Sequence, residues 1–401
     1  MLQIETPVTV KPFALFNLGF RPFFLLAAGF GALSMLLWMA IYSFSQPWLS
    51  PEWPAIFWHA HEMVFGYSTA VIAGFLLTAV GNWTNLPMPK GRHLMLLAGL
   101  WLSARLFPFS GLPFALALSA FTDLLFILML ITAIAIPIYQ TKQWTQMPIV
   151  FKLALIASSN ILFYAAMLGF LPAYAIHWGL YSGLYLIISL ILMMGRRVIP
   201  FFIERGVANA PIKLTNHKWL DLSSLFLFLI FVVVEVFTQY RPVSESLAAI
   251  LFLLHAFRLW GWYDHGIWRK PLLWVLYIGY GFMVLGFGLN ALTTTLSLSP
   301  WIAVHAFAAG GIGLITAGMM CRIALGHTGR NVQDPPKALK FIFVLLGLGA
   351  VCRVILPLLF PATAYHGLII TAQLCWAAGF GLFLITYIPM LTKPRVDQRF
   401  G

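Results

Sequence analysis

The segment Trp58–Thr84, WHAHEMVFGYSTAVIAGFLLTAVGNWT, constrains the chain more than any other. His59, His61 and Glu62 stand at the mouth of an apolar run that continues past Leu76 to Val80 without another charge. A run of that length spans a bilayer as a helix. Ionisable side chains at membrane depth are expensive, so a cluster of them at the start of such a helix reads as a functional site.

The rest of the chain repeats the apolar theme. Of its 401 residues, 61% are hydrophobic and 9% charged, which defines a polytopic all-α membrane protein and leaves no room for a sizeable soluble domain. Runs of about 20 apolar residues predict twelve helices, near 20–43, 56–80, 93–110, 113–138, 148–170, 173–195, 219–239, 243–263, 271–295, 300–325, 338–360 and 364–391. They form one transmembrane domain over 1–401, divided six and six by a connection at 196–218 that holds Arg205, Gly206, Pro211 and Asn216. Arg21-Pro-Phe-Phe and Ile199-Pro-Phe-Phe echo each other across it, a match too short to define a repeat.

An even number of helices puts both termini on one side. Of the 24 Lys and Arg residues, 20 fall on that side, among them Lys11, Arg21, Lys90, Arg196, Arg330 and Arg395, and only Arg105, Arg241, Arg258 and Arg353 lie elsewhere. By the positive-inside rule the termini are expected in the cytoplasm. The formal net charge of +13 is therefore membrane topology and not a nucleic-acid-binding stripe. No small-residue cleavage site follows the first apolar run, so no cleaved signal peptide is expected. Cys321, Cys352 and Cys375 are odd in number and lack C-x-x-C spacing, as packing residues would.

This orientation gives each histidine a depth. His59, His61 and His305 belong near the outer face; His255 and Arg258 lie deeper, towards the cytoplasm, and His327 closes its helix at the inner surface. His59 and Glu62, three apart, share a helical face, whereas His59 and His61, two apart, point about 200° from each other. The two histidines thus serve different centres, or one is a ligand and the other hydrogen-bonds a partner. A zinc protease helix needs H-E-x-x-H, and position 65 is Phe65, so that chemistry is excluded.

Metal or haem binding needs neutral imidazoles from different helices, and helices 2, 8 and 10 each supply one. After His305 come Ala308, Ala309, Gly310, Gly311 and Gly313, a smooth surface against which a flat macrocycle or a neighbouring helix can lie. Haem propionates want guanidinium partners, and Arg258, Arg322 and Arg330 stand near the inner ends of the same helices. Copper suits the remaining imidazoles equally well. Glu62 is either a proton carrier or a carboxylate that orients a ligand imidazole. Asp123 is placed to pair with Arg105 across the hairpin of helices 3 and 4.

At this point a resemblance adds to the reading of the residues. Gly19-Phe-Arg-Pro-Phe-Phe-Leu25, Trp58-His-Ala-His-Glu-Met63, Gly74-Phe-Leu-Leu-Thr78, Asn82-Trp-Thr84, Arg197-Val-Ile-Pro-Phe-Phe202, His255-Ala-Phe-Arg-Leu259, Pro271-Leu-Leu-Trp274 and Gly326-His-Thr-Gly-Arg330 resemble, in order, the successive motifs of the NnrS family. The resemblance implies a twelve-helix bacterial inner-membrane protein carrying haem b and copper and acting in the response to nitric oxide and nitrosative stress. It carries the family's motif histidines to His59, His61, His255, His305 and His327. One departure is Tyr277, where the family pattern has a histidine shortly after Pro-Leu-Leu-Trp: either the phenol is a ligand, as haem iron permits, or this chain has one ligand fewer. Two functions remain open on these grounds. One is a haem-dependent oxidoreductase that binds or reduces nitric oxide, with roles for Glu62 and Tyr277 near the ligands and electrons from an undetermined donor. The other is a transporter or sensor of metal, haem or a nitrosylated species that carries out no turnover, since two sets of six helices are common in secondary transporters.

Overall fold

The computed structural model describes residues 13–207, 212–238, 240–360 and 362–400. Lys11 and Pro211, used above for topology and for the central connection, lie outside the described residues. Among the described residues the regular structure is helical throughout, with no strand, and the protein is an all-α polytopic membrane protein.

Among the described residues, eleven helices are long and apolar enough to cross a membrane. They are α1 (Phe20–Ser43), α2 (Ala55–Thr84), α4 (Ala115–Gln140), α5 (Trp144–Met167), α6 (Tyr174–Gly206), α7 (Lys218–Thr238), α8 (Arg241–Gly261), α9 (Pro271–Ala291), α10 (Pro300–His327), α11 (Ala338–Leu359) and α12 (Ala362–Thr392). The remaining sequence-predicted span is α3 (Arg92–Leu106), shorter at 15 residues and extended by the 3-10 turn Phe107–Phe109. It ends early because Pro108 cannot donate to the helical ladder.

The helices of the twelve-fold reading are thus all present. One boundary differs: α6 runs past Gly195 to Gly206. Arg196, Arg197 and Arg205 mark the end of an apolar run, but their side chains reach water from the helix surface, and charge by itself does not end a helix. Pro200 lies within this extension.

Consecutive helices pack as antiparallel neighbours, and α12 packs along α1, so the ends of the chain close the bundle. Arg21 at the start of α1 donates to the carbonyls of Met390, Leu391 and Lys393 at the end of α12, at 3.2, 2.7 and 2.8 Å. Higher up, Trp376 Nε1 donates to the Gly31 carbonyl at 3.0 Å. The end of the bundle that holds the start of α1 and the end of α12 is called the terminal end below; the other is the distal end.

The glycines of α9 and α10 settle a choice left open above. A Cβ on Gly311 would lie 2.6 Å from Met283 Sδ, and one on Gly286 would lie 2.6 Å from Phe307. These positions bring α9 and α10 together, and the face after His305 is filled by side chains of α9 and not open to a macrocycle.

Five helices carry π-helical turns: Met39–Ser43 in α1, Glu62–Tyr67 in α2, Val234–Thr238 in α7, Ala306–Ile312 in α10 and Val351–Ile355 in α11. Such turns are rare and concentrate at functional sites. The turn in α2 begins directly after His61 and that in α10 directly after His305.

Candidate functional site

His61 and Glu62 belong to a buried ionic cluster. His61 Nδ1 is 3.1 Å from Glu62 Oε1, and its Nε2 is 3.0 Å from Asn160 Oδ1 and 3.6 Å from Asp123 Oδ2. Arg105 links the two carboxylates, with Nε 2.7 Å from Glu62 and Nη2 2.8 Å from Asp123. The pairing of Arg105 with Asp123 across the α3–α4 hairpin is the one read from the sequence. Asn160 donates Nδ2–H to Asp123 at 2.8 Å, which turns its Oδ1 towards His61. Both ring nitrogens of His61 thus face oxygen atoms. Arg105 stands between the two buried carboxyl groups as their cationic partner in the membrane interior.

The π turn explains how this cluster is assembled. It leaves carbonyls without helical partners: Gly66 O accepts from Trp101 Nε1 at 3.0 Å, and Phe65 O accepts from the Thr69 hydroxyl and lies 3.4 Å from Arg105 Nη1. The Glu62 carboxyl reaches His61 and Arg105. A Cβ on Gly66 would stand 2.6 Å from Glu62 Oε2, so glycine is what admits the carboxylate here.

His59 points elsewhere, as the opposed directions of the two histidines require. Its ring lies on Trp38 of α1, with centroids 4.4 Å apart and planes within 5°, and its Nδ1 has no hydrogen-bond partner among the described residues. His305 stands at the same end of the bundle, on α10. Nδ1–H of His305 donates to the Trp301 carbonyl at 2.7 Å, which leaves the Nε2 lone pair for a ligand. The distal ends of α2 and α10 therefore each carry a half-buried imidazole.

His255 forms a separate site in α8. Its ring stacks on Phe287 with centroids 5.3 Å apart, Nδ1 is 2.6 Å from the Tyr280 hydroxyl, and Nε2 is buried without a partner among the described residues. Arg258 Nη1 lies 3.1 Å from the same Nδ1 and donates to Tyr280 at 3.2 Å. Its Nη2 serves the Leu220 carbonyl, Asp221 and Ser224 at 3.1, 2.9 and 3.0 Å. Beside it a cavity of about 180 Å³ opens between Asn216, His217, Asp221, Phe257 and Trp260.

The other sequence candidates are dispersed at the terminal end. His327 packs against Phe20 with centroids 5.7 Å apart. It is 327 − 305 = 22 residues from His305 on one helix, about 33 Å at 1.5 Å per residue, so the two cannot share a centre. Tyr277 donates to the Leu259 carbonyl at 3.2 Å among Tyr263 and Trp268. It is Tyr280, one turn further along α9, that meets His255. Arg322 lies with its guanidinium carbon 3.6 Å from the centre of the Phe202 ring, and Arg330 is half-buried in the loop after α10. Among the described residues no three His, Cys, Asp or Glu side chains converge as a ready metal site.

Sequence reading did not single out Trp38, Asn160, Tyr280 or Arg353 as site residues. The first three are ordinary in membrane helices and carry no local pattern. Arg353 did carry a signal, because it was among the few basic residues away from the terminal side.

No curated protein matches the chain. The sequence model described as NnrS protein matches residues 14–395, nearly the whole length. On that match, the chain belongs to the NnrS family.

Proposed function

We propose that this protein is a haem- and copper-binding protein of the bacterial inner membrane that acts on nitric oxide in the nitrosative-stress response, as an oxidoreductase. The observation that carries this reading is the state of three buried or half-buried imidazoles in the spans. His59 Nδ1 and His255 Nε2 have no partner among the described residues, and His305 spends its Nδ1–H on a backbone carbonyl, which leaves Nε2. An imidazole nitrogen left unpaired in a membrane interior is costly unless a ligand completes it. Neutral imidazoles oriented through their second nitrogen are the donors that haem iron and copper take.

The donor set thus fits the groups the family implies. His59 and His305 would hold one group at the distal end, and His255, oriented by Tyr280, would hold another. Haem iron, when bound, supplies a site for nitric oxide and a one-electron couple. Trp38 fixes the plane of His59 from one side. The cluster of His61, Glu62, Arg105 and Asp123 begins two residues further along α2, and its contacts hold the Glu62 carboxyl in place in an otherwise apolar span.

The test is an optical spectrum of detergent-purified protein, oxidised and then reduced with dithionite, with metal analysis on the same sample and nitric oxide added afterwards. A b-type spectrum that shifts on adding nitric oxide is expected. A featureless spectrum from folded protein expressed with ample haem would rule this function out.

A further inference from the structure

The cavity of about 180 Å³ lies where the first turn of α7 meets the last turn of α8, and Asn216, His217, Asp221, Phe257, Arg258 and Trp260 line it. That puts it at the terminal end, at the depth where bilayer gives way to water. Ile250, Leu253, Phe257 and Trp260 are spaced three and four apart and so share one face of α8. All four are exposed, from 43% at Ile250 to 82% at Trp260. An exposed apolar face on a spanning helix meets lipid, so the cavity is entered from the bilayer past Phe257 and Trp260. Asn216, in the loop before α7, borders it on the aqueous side.

The walls select the occupant. Asp221 takes Arg258 on Oδ1 at 2.9 Å and Arg196 on Oδ2 at 3.0 Å, which fixes the carboxyl in place. Each of its oxygens has a lone pair to spare for a further donor. The buried Arg258 already has that carboxyl as counter-charge, so the cavity does not call for a free anion. His217 and Phe257 lie with centroids 5.8 Å apart and planes 24° from parallel, and with Trp260 they offer ring surface to a flat group. The volume is below the roughly 300–1,000 Å³ that drug-sized ligands occupy, and suits a single substituted ring. The walls therefore fit a small, flat, uncharged headgroup with an O–H donor, arriving from the lipid phase.

Behind the cavity a short chain of hydrogen bonds leads inward. Arg258 Nη1 donates to the Tyr280 hydroxyl at 3.2 Å, and that hydroxyl is 2.6 Å from His255 Nδ1, whose ring keeps a buried Nε2 without a partner among the described residues. We propose that the cavity binds the headgroup of a membrane quinol, with one hydroxyl donating to Asp221 and the ring against Phe257 and Trp260, and that Arg258 and Tyr280 connect it to His255. The proposal rests on the oxidoreductase reading and deepens it by naming the class of electron donor. Oxidation of the quinol to the quinone breaks two O–H bonds. The two protons leave to water at the terminal end, and the two electrons pass one at a time to the oxidised iron or copper of the proposed function.

The test titrates decylubiquinone into the detergent-purified full chain by calorimetry and compares wild type with Asp221→Asn, Trp260→Leu and Trp48→Leu. Trp48 is an exposed tryptophan in the loop between α1 and α2, at the other end of the bundle. Wild type is expected to bind at one saturable site. Asp221→Asn and Trp260→Leu are expected to bind roughly tenfold more weakly, through loss of a hydrogen bond to a charged group and of an aromatic wall, and Trp48→Leu as wild type does. Trp260 is mostly exposed, so its variant is expected to keep the wild-type thermal midpoint, which separates lost binding from lost folding. In a second measurement decylubiquinol is expected to reduce the haem of wild type faster than that of the two cavity variants, while dithionite reduces all of them alike. No saturable binding by wild type, or equal binding by all four proteins, would overturn the proposal. Displacement of the quinone by dioleoylphosphatidylglycerol, and not by dioleoylphosphatidylcholine, would mean a site for an anionic lipid headgroup and would also overturn it. A wild type that binds the quinone but carries neither haem nor copper would overturn the functional reading beneath and leave the binding site standing.

Discussion

His305 donates its Nδ1–H to the carbonyl of Trp301, 2.7 Å away and one turn back on the same helix. That bond selects one tautomer before any ligand arrives and aims the free lone pair from Nε2. The helix opens into a π turn immediately afterwards.

The same bond separates the histidines by role. His305→Ala or His59→Ala is expected to lower the haem retained through purification roughly tenfold or more. His327→Ala is expected to leave it unchanged, because that ring stands at the opposite end of α10. The measurement is the haem-to-protein ratio of the three variants. Equal losses in all three would mean that the distal pair has no special claim on the ligand.

Arg105 is the keystone of the cluster around His61. Its neighbours Glu62 and Asp123 are each almost fully buried, with side chains 1% and 2% exposed, so removing the guanidinium leaves both carboxyl groups without their arginine partner. Arg105→Gln is expected to destabilise the protein by about 3–5 kcal/mol, read as a lower thermal midpoint in detergent. Pairing it with Asp123→Asn is expected to recover part of that loss, since one of the two stranded carboxyl groups is gone. A double variant less stable than the single one would contradict this account of the cluster.

Much of this arrangement was legible in the sequence, and the reasons for the remainder are physical. Apolar runs reported the helices because each must span the same thickness, and the opposed directions of His59 and His61 followed from helical geometry. Arg105 and Asp123 could be paired because a short hairpin joins their helices. The contacts of Glu62 with Arg105 were not legible because a π turn has no sequence signature, and it rotates the residues that follow it. Arg353 was passed over because the ring it faces, Tyr365, lies on another helix and meets it only when α11 and α12 pack together.

Gly66 tests the π turn directly. A methyl group there would fall 2.6 Å from Glu62 Oε2 and 3.0 Å from the Phe30 ring, neither of which can retreat far in a packed interior. Gly66→Ala is expected to cost about 1–3 kcal/mol. It should also loosen the bond between Glu62 and Arg105, visible as a shifted carboxylate band in difference infrared spectra. A variant as stable as wild type with an unshifted band would mean that the turn accommodates a side chain.

The terminal end of the bundle carries the last expectation. Arg21 binds the carbonyls that close α12, Arg395 donates to the His327 carbonyl at 3.0 Å, and Asp397 accepts from Arg395 at 2.6 Å. The same end holds the starts of α3 and α9, with Arg92 and Lys270. Lysine and arginine so concentrated resist translocation, which is the physical basis for placing this end in the cytoplasm. A fluorescent protein fused after Gly401 is expected to fluoresce, and a phosphatase that folds only in the periplasm is expected to stay inactive there. The same phosphatase inserted between α11 and α12 is expected to be active, since that loop lies at the distal end. The reverse pattern would invert the topology and place His59, His305 and Arg353 on the cytoplasmic side, within reach of soluble electron donors and not of the periplasm.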